Sequence, residues 1–371
     1  MFAKWLACLK TTSLPWTGLC LSAALLLMTT WLPAEVPVEG KPASEPVKTA
    51  DEPVEDLKGS EWPNLSLALQ DSYLSTNLND LDIKNDAWCL SQYAFGRVSR
   101  FSKEDSEALK QQAIREFVDL PLSDIQAGMA KYASRNPQLA RGTTNTIIID
   151  IEAPVHPRNF WKLMGGPEND QITPLFSEVI QAFSRRYRVV RTMYPNATLT
   201  VYGMGMPDSQ GRERQQEKAR LNAEVMAARM GMLESVDAIS PAIYERFGPT
   251  DRPYDLRDRA TIQGMRHALQ IVQASDRPLD IIVLMSLAIF NGNSDVTHKP
   301  ADLEGLAERL ELLAKLGVKR VIFWAGGETI AQTGIPVAQR LAQLRALEKQ
   351  RQAKPPPAEP KPEKPAESNP G

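Results

Sequence analysis

The sequence predicts an α/β protein, a (β/α) TIM-like barrel of about seven to eight parallel strands in a single domain with disordered termini. Three observations predict it. Short apolar runs rich in branched residues alternate with longer amphipathic stretches, the βαβα order of a parallel sheet. The runs Ile147-Ile148-Ile149 and Ile281-Ile282-Val283-Leu284-Met285 are apolar on both faces, as strands covered on both sides must be. Helix-to-strand turns are tight. Leu303, Leu306, Leu310, Leu313 and Leu316 recur at spacings of three and four, Gly317 follows where a left-handed cap sits, and the next strand starts at once. Such turns suit a closed barrel better than an open doubly wound sheet.

Along the chain, a strand over Tyr93–Phe101 leads to helices over Ser106–Arg115 and Ser123–Ser134. A strand over Thr146–Glu152 precedes a helix over Thr173–Met193, and one over Thr198–Gly203 precedes a helix over Arg212–Leu233. Ala238–Tyr244 is followed by a helix over Asp255–Ala274, Ile281–Phe290 by the leucine-striped helix Ala301–Leu316, and Arg320–Ala325 by a last helix over Val337–Gln350. The folded unit is residues 60–351, a comfortable length for one barrel.

The ends read differently. Lys4 and Lys10 precede an apolar run from Leu14 to Leu32 and then Pro33-Ala34-Glu35, the order of a secretory signal. Residues 1–34 are therefore a signal peptide cleaved near Ala34 or an N-terminal membrane anchor, since about twenty apolar residues also span a bilayer about 30 Å thick. Either outcome places the protein outside the cytoplasm, and the second associates it with a membrane. Residues 35–59 and 352–371, rich in Pro, Glu, Ala and Lys without periodicity, read as a disordered linker and tail.

Composition removes several classes. Hydrophobic residues at 43% and charged residues at 24% exclude a collagen, a coiled coil or a polytopic membrane protein. With 43 basic against 45 acidic side chains and no sustained interior Lys/Arg run, no nucleic-acid partner is expected. Cys89 is the one thiol outside the N-terminal segment, so no internal disulfide framework is expected. Neither Gly-x-Gly-x-x-Gly nor a Walker sequence follows an early strand, and no cofactor is implied.

In a parallel barrel the working residues stand at the carboxyl ends of the strands. One strand ends in Asp150-Ile151-Glu152, whose alternation points two carboxylates to one face with Cβ atoms about 6 to 7 Å apart. Other strands end in Tyr202, in Tyr244-Glu245-Arg246, in Phe290-Asn291 and in Trp324. Rings that stack on apolar sugar faces, beside carboxylates and amides that reach hydroxyls, make a sugar site. Asp150 and Glu152 are the catalytic candidates, and Tyr202, Tyr244, Trp324, Arg246 and Asn291 the substrate-binding ones. His156 raises an alternative, a two-carboxylate, one-imidazole metal site with Asp150 and Glu152. A noncatalytic glycan-binding barrel and a structural envelope domain are the other two.

The order of these motifs resembles the hyaluronidase-like glycoside hydrolases, barrels of seven or so strands whose third strand ends in Asp-x-Glu. The resemblance covers about residues 90–328. Ile149-Asp150-Ile151-Glu152 stands where that family has Asp-aromatic-Glu, Pro157-Arg158-Asn159-Phe160-Trp161 is similar to its Arg/Pro/Trp-rich segment, and Val201-Tyr202-Gly203 to its fourth strand. Ser240-Pro241-Ala242-Ile243-Tyr244 resembles its Pro-Ser-Ile-Tyr strand, and Val321-Ile322-Phe323-Trp324 its final strand. The chain departs from the family in having Ile151 between the acids and in lacking the cysteines for its disulfides. The resemblance implies an exported hydrolase of polysaccharides containing 2-acetamido sugars, acting with retention by a substrate-assisted mechanism. Glu152 would be the general acid, its pKa raised by its negative neighbour, and Asp150 would hold the acetamido group, with Tyr202 or Tyr244 positioning the acetamido oxygen.

Overall fold

The computed structural model describes residues 65–71, 78, 81, 83–96, 106–136, 139, 145–169, 171–206, 214–245, 254–289, 299–325 and 337–352. The expected signal or anchor, the linker, the tail from residue 353, and the site candidates Arg246 and Asn291 lie outside these residues. Among the described residues no helix is long and apolar enough to cross a membrane.

Seven strands close a barrel in chain order, every neighbouring pair parallel: β1 (Ser66–Asp71), β2 (Ile83–Ser91), β3 (Thr146–Asp150), β4 (Thr198–Tyr202), β5 (Ala238–Ser240), β6 (Asp280–Ser286) and β7 (Arg320–Ala325), with β7 pairing back onto β1. The helices are α1 (Glu107–Asp119), α2 (Leu122–Arg135), the short α3 (Phe160–Leu163), α4 (Pro174–Met193), α5 (Arg214–Arg229), α6 (Tyr254–Ala274), α7 (Leu303–Lys315) and α8 (Val337–Gln352).

Period-2 alternation sorts strands that look uniformly apolar in sequence. Ile148, Ala87, Ala238, Ile282, Leu284 and Ile322 point inward and fill the barrel. Their neighbours Ile147 and Ile149 pack outward with Val179, Ile180 and Phe183 of α4, while Val321 and Phe323 pack with Leu306, Leu310 and Leu313 of α7. Each such side chain contributes about 1.5–3 kcal/mol by leaving water. Helix ends follow from local chemistry. Thr173 caps α4 by accepting from Phe176 N at 3.0 Å, and Asp302 caps α7 by accepting from Gly305 N at 2.9 Å. At the far end of α7 Gly317 takes φ +83°, as its place after the leucine stripe implies, and Val318 N bonds back to Leu313 O at 3.0 Å.

The expected strand Tyr93–Phe101 is corrected over residues 93–96, while residues 97–101 lie outside the described residues. The ladder runs earlier, over Ile83–Ser91, and Gln92–Phe95 is a 3-10 turn. β2 is hard to read because Lys84-Asn85-Asp86 is polar. At the amino-terminal rim of the barrel, Arg320 of β7 reaches Asp86 Oδ1 at 2.6 Å and Thr146 Oγ1 at 2.7 Å, so an acid at this place in a strand is paired. β1 was not expected at all. β3 is also shorter than expected: its ladder ends at Asp150, and Ile151 and Glu152 belong to the loop that follows.

Candidate active site

The carboxyl ends of β2, β3, β4 and β7 bring chemistry to one mouth. Asp150 is the last residue of β3, pointing inward two positions beyond Ile148. The Cys89 thiol of β2 donates a long, weak hydrogen bond to Asp150 Oδ2, 3.8 Å away. Asp150 Oδ1 is buried and has no hydrogen-bond partner among the described residues. Burial first, and then the charge of Glu152, push the Asp150 carboxyl up to about 7, against the smaller opposing effect of the Cys89 hydrogen bond. The Cys89 thiol is itself held well above its ordinary value by burial and by both carboxylates. Among the described residues Cys89 is a free cysteine.

Glu152 occupies a different environment. Its side chain is 54% exposed, yet enough protein surrounds the carboxyl to raise its pKa, and the Arg158 guanidinium opposes that rise. The negative-neighbour effect expected on Glu152 therefore falls on the more deeply buried Asp150. The backbone of Glu152 is held by Gln92, whose Oε1 accepts from Glu152 N at 2.9 Å and from Ala153 N at 2.8 Å.

The tyrosines and tryptophan meet here. Tyr244 stacks on Trp324 with ring centroids 5.7 Å apart and an interplanar angle of 22°. The Tyr202 and Tyr244 hydroxyls hydrogen-bond to each other, and burial raises the pKa of both phenols, so both stay protonated. All three residues are half-buried. Glu245, by contrast, turns away: it is buried in an ion pair with Arg309 of α7 at 2.8 Å and ties the end of β5 to that helix.

His156 serves as a wall. Its Nδ1 accepts from Arg158 N at 3.1 Å, so the ring proton sits on Nε2, which faces Glu152 Oε1 at 3.7 Å. Its ring meets Tyr202 edge-on at 5.8 Å. Burial, with Arg158 and Arg220 adding to it, lowers its pKa to about 3, and it stays neutral. Among the described residues no three His, Cys, Asp or Glu side chains are grouped so as to hold a metal ion, which leaves the metal-site alternative without a third ligand. Gly203 makes the close packing feasible: it adopts φ +90°, and a Cβ there would come within 2.5 Å of His156 Cε1. The following loop is held from α5, where Glu224 Oε2 accepts from Gly205 N at 2.8 Å and Arg220 Nη2 donates to Met206 O at 3.1 Å.

Sequence reasoning missed Gln92 and the contact of Cys89 with Asp150. The one available signal for Gln92 was its position just past a strand, and the misplaced β2 concealed it.

No family model and no curated protein sequence matches the chain. Solved structures do match. The barrel resembles that of bee venom hyaluronidase. The likeness covers 77% of this chain and 97% of that one, with a TM-score of 0.50 at 10% identity. An endo-1,4-β-D-mannanase from Thermotoga petrophila matches over 73% of this chain and 76% of its own, with a TM-score of 0.40 and 10% identity. The spore cortex-lytic enzyme of Bacillus cereus matches over 78% and 75%, with a TM-score of 0.39 and 13% identity. Identities this low establish the shared barrel with the hyaluronidase; the chemistry must be argued from the residues.

Proposed function

We propose that the protein is an exported glycoside hydrolase that cleaves a polysaccharide containing 2-acetamido sugars, with retention and with the substrate's own acetamido group as nucleophile. The observation that carries this is the unlike pair at the end of β3: a half-buried Asp150 raised to about 7, its buried Oδ1 without a partner among the described residues, and an accessible Glu152 two residues on. A hyaluronidase with the same barrel supports the choice of a glycan. The lysines and apolar run at the N-terminus support export.

The pair holds one proton between its two titration steps. An acetamido N–H donating to Asp150 Oδ1 favours the Asp150 carboxylate and leaves the proton on Glu152. Glu152 then protonates the departing glycosidic oxygen while the acetamido carbonyl oxygen bonds to the anomeric carbon, and Asp150 offsets the positive charge developing on nitrogen. Water, losing its proton to the Glu152 carboxylate, next attacks the anomeric carbon and expels the carbonyl oxygen. Two displacements give net retention, and Glu152 ends protonated as it began. Asp150 and Glu152 leave the same strand end and cannot address opposite faces of the sugar, which is why the nucleophile must come from the substrate. Tyr202 or Tyr244 donates to the acetamido oxygen, and the Tyr244–Trp324 pair supplies a ring surface for a sugar.

The test is a panel of chitin, hyaluronan, chondroitin and peptidoglycan fragments assayed for new reducing ends. The unaltered protein should release ends from at least one polymer, and Glu152→Gln should bind that polymer without releasing any. Binding without release by the unaltered protein would point instead to a noncatalytic glycan-binding barrel.

A further inference from the structure

Glu152 carries a side chain that is 54% exposed, on the loop that follows β3. The neutral His156 Nε2 lies 3.7 Å from Glu152 Oε1, beyond a hydrogen bond, and the Arg158 guanidinium acts on the carboxyl through its charge. The β3 ladder has ended at Asp150, so the next backbone N–H groups have no strand partner. Both N–H groups at Glu152 and Ala153 find the same acceptor, the carboxamide oxygen of Gln92, 60 and 61 residues earlier in the chain. Gln92 opens the 3-10 turn that ends β2, and the bond joins the mouths of adjacent strands. We propose that Gln92 is the positioning residue of the site: its one oxygen clamps two successive amides and so aims the Glu152 carboxyl at the scissile oxygen. This rests on the glycosidase reading for its catalytic consequence, though not for the clamp itself.

The residue type follows from the task. A carboxamide oxygen accepts two N–H groups without charge. A carboxylate at the same place accepts them equally well and adds a negative charge beside Glu152, which raises the pKa of the acid. A side chain of similar size without an acceptor leaves the exposed Glu152 amide and the partly buried Ala153 amide without this partner and frees the loop. Displacing an acid by about 1 Å costs on the order of 100-fold in rate.

The test compares Gln92→Leu and Gln92→Glu in the full chain by three measurements. Hydrogen exchange at the Glu152 and Ala153 amides should quicken at least tenfold in Gln92→Leu and stay close to the unaltered rate in Gln92→Glu. The 13C titration of Glu152 should move to higher pH in Gln92→Glu. On whichever glycan the protein cleaves, Gln92→Leu should lose about 100-fold in kcat with KM within about twofold, and Gln92→Glu should recover most of that loss while the alkaline limb of its pH profile moves upward. Unchanged exchange in Gln92→Leu overturns the clamp whether or not any glycan is cleaved. Quickened exchange with unchanged kcat overturns the positioning role alone. If the unaltered protein cleaves nothing in the panel, the glycosidase reading fails, and exchange together with the Glu152 titration still decides the clamp. Should Gln92→Leu fail to fold, the Gln92→Glu titration decides it.

Discussion

The two ends of the barrel treat an aspartate in opposite ways. At the amino-terminal rim, Asp86 in β2 is met by Arg320 from β7, and the same guanidinium reaches Thr146 of β3, so one cation ties three strands. At the carboxyl-terminal mouth, Asp150 of β3 has a thiol on one oxygen and, among the described residues, no partner on the other, and its carboxyl is pushed up to about 7. The difference teaches which acid serves stability and which does not. An acid paired to a cation across strands contributes to folding, whereas an acid buried without a counter-charge costs stability and is retained for another reason.

Breaking the mouth should have the largest effect. Glu152→Gln removes the proposed general acid and should lower kcat by more than about 1,000-fold, read as reducing ends released, with substrate still bound. Asp150→Asn should cost about 100-fold in kcat, since the amide cannot offset charge on the acetamido nitrogen. The same substitution sharpens the contrast through pH. A carboxyl raised in the folded state holds a proton that the unfolded chain has lost, so its presence lowers stability progressively between about pH 4 and 7. Asp150→Asn should therefore raise Tm more at pH 8 than at pH 4, measured by calorimetry. Activity should fall as pH rises past the loss of the pair's shared proton near 7, and fall again in acid when the pair takes a second proton.

At the other rim the expected signs reverse. Arg320→Ala should lower stability by about 2 kcal/mol in denaturant titration, the scale of a charge-assisted hydrogen-bond pair at a partly buried site, and should leave kcat unchanged. The smallest effect belongs to the aromatic platform. Trp324→Ala should weaken glycan binding by about 1 kcal/mol, roughly fivefold in Kd by calorimetry, because Tyr244 remains as the lower half of the stack.

This contrast also explains what could be read from sequence. The helices fall within a few residues of their expected bounds because of stripes such as Leu306, Leu310 and Leu313, and β7 matches to the residue because Val321–Ala325 is apolar on both faces. β2 was misplaced because the partner of Asp86 is Arg320, 234 residues away, and no local pattern announces such pairing. In the candidate site the Asp-x-Glu at residues 150–152 and the rings of Tyr202, Tyr244 and Trp324 were legible as strand ends, and the structure brings them together. The direction of their electrostatics was not. Burial depth and the thiol of Cys89 decide that Asp150 rises to about 7, and both come from elements assembled across the chain.

The central claim, that the substrate's acetamido group serves as nucleophile while Asp150 and Glu152 assist it, is tested most directly by the configuration of the first product. Proton NMR of the anomeric signal during the first minutes of cleavage should show the new reducing end with the configuration of the bond that was cut. An initially inverted anomer would contradict the account.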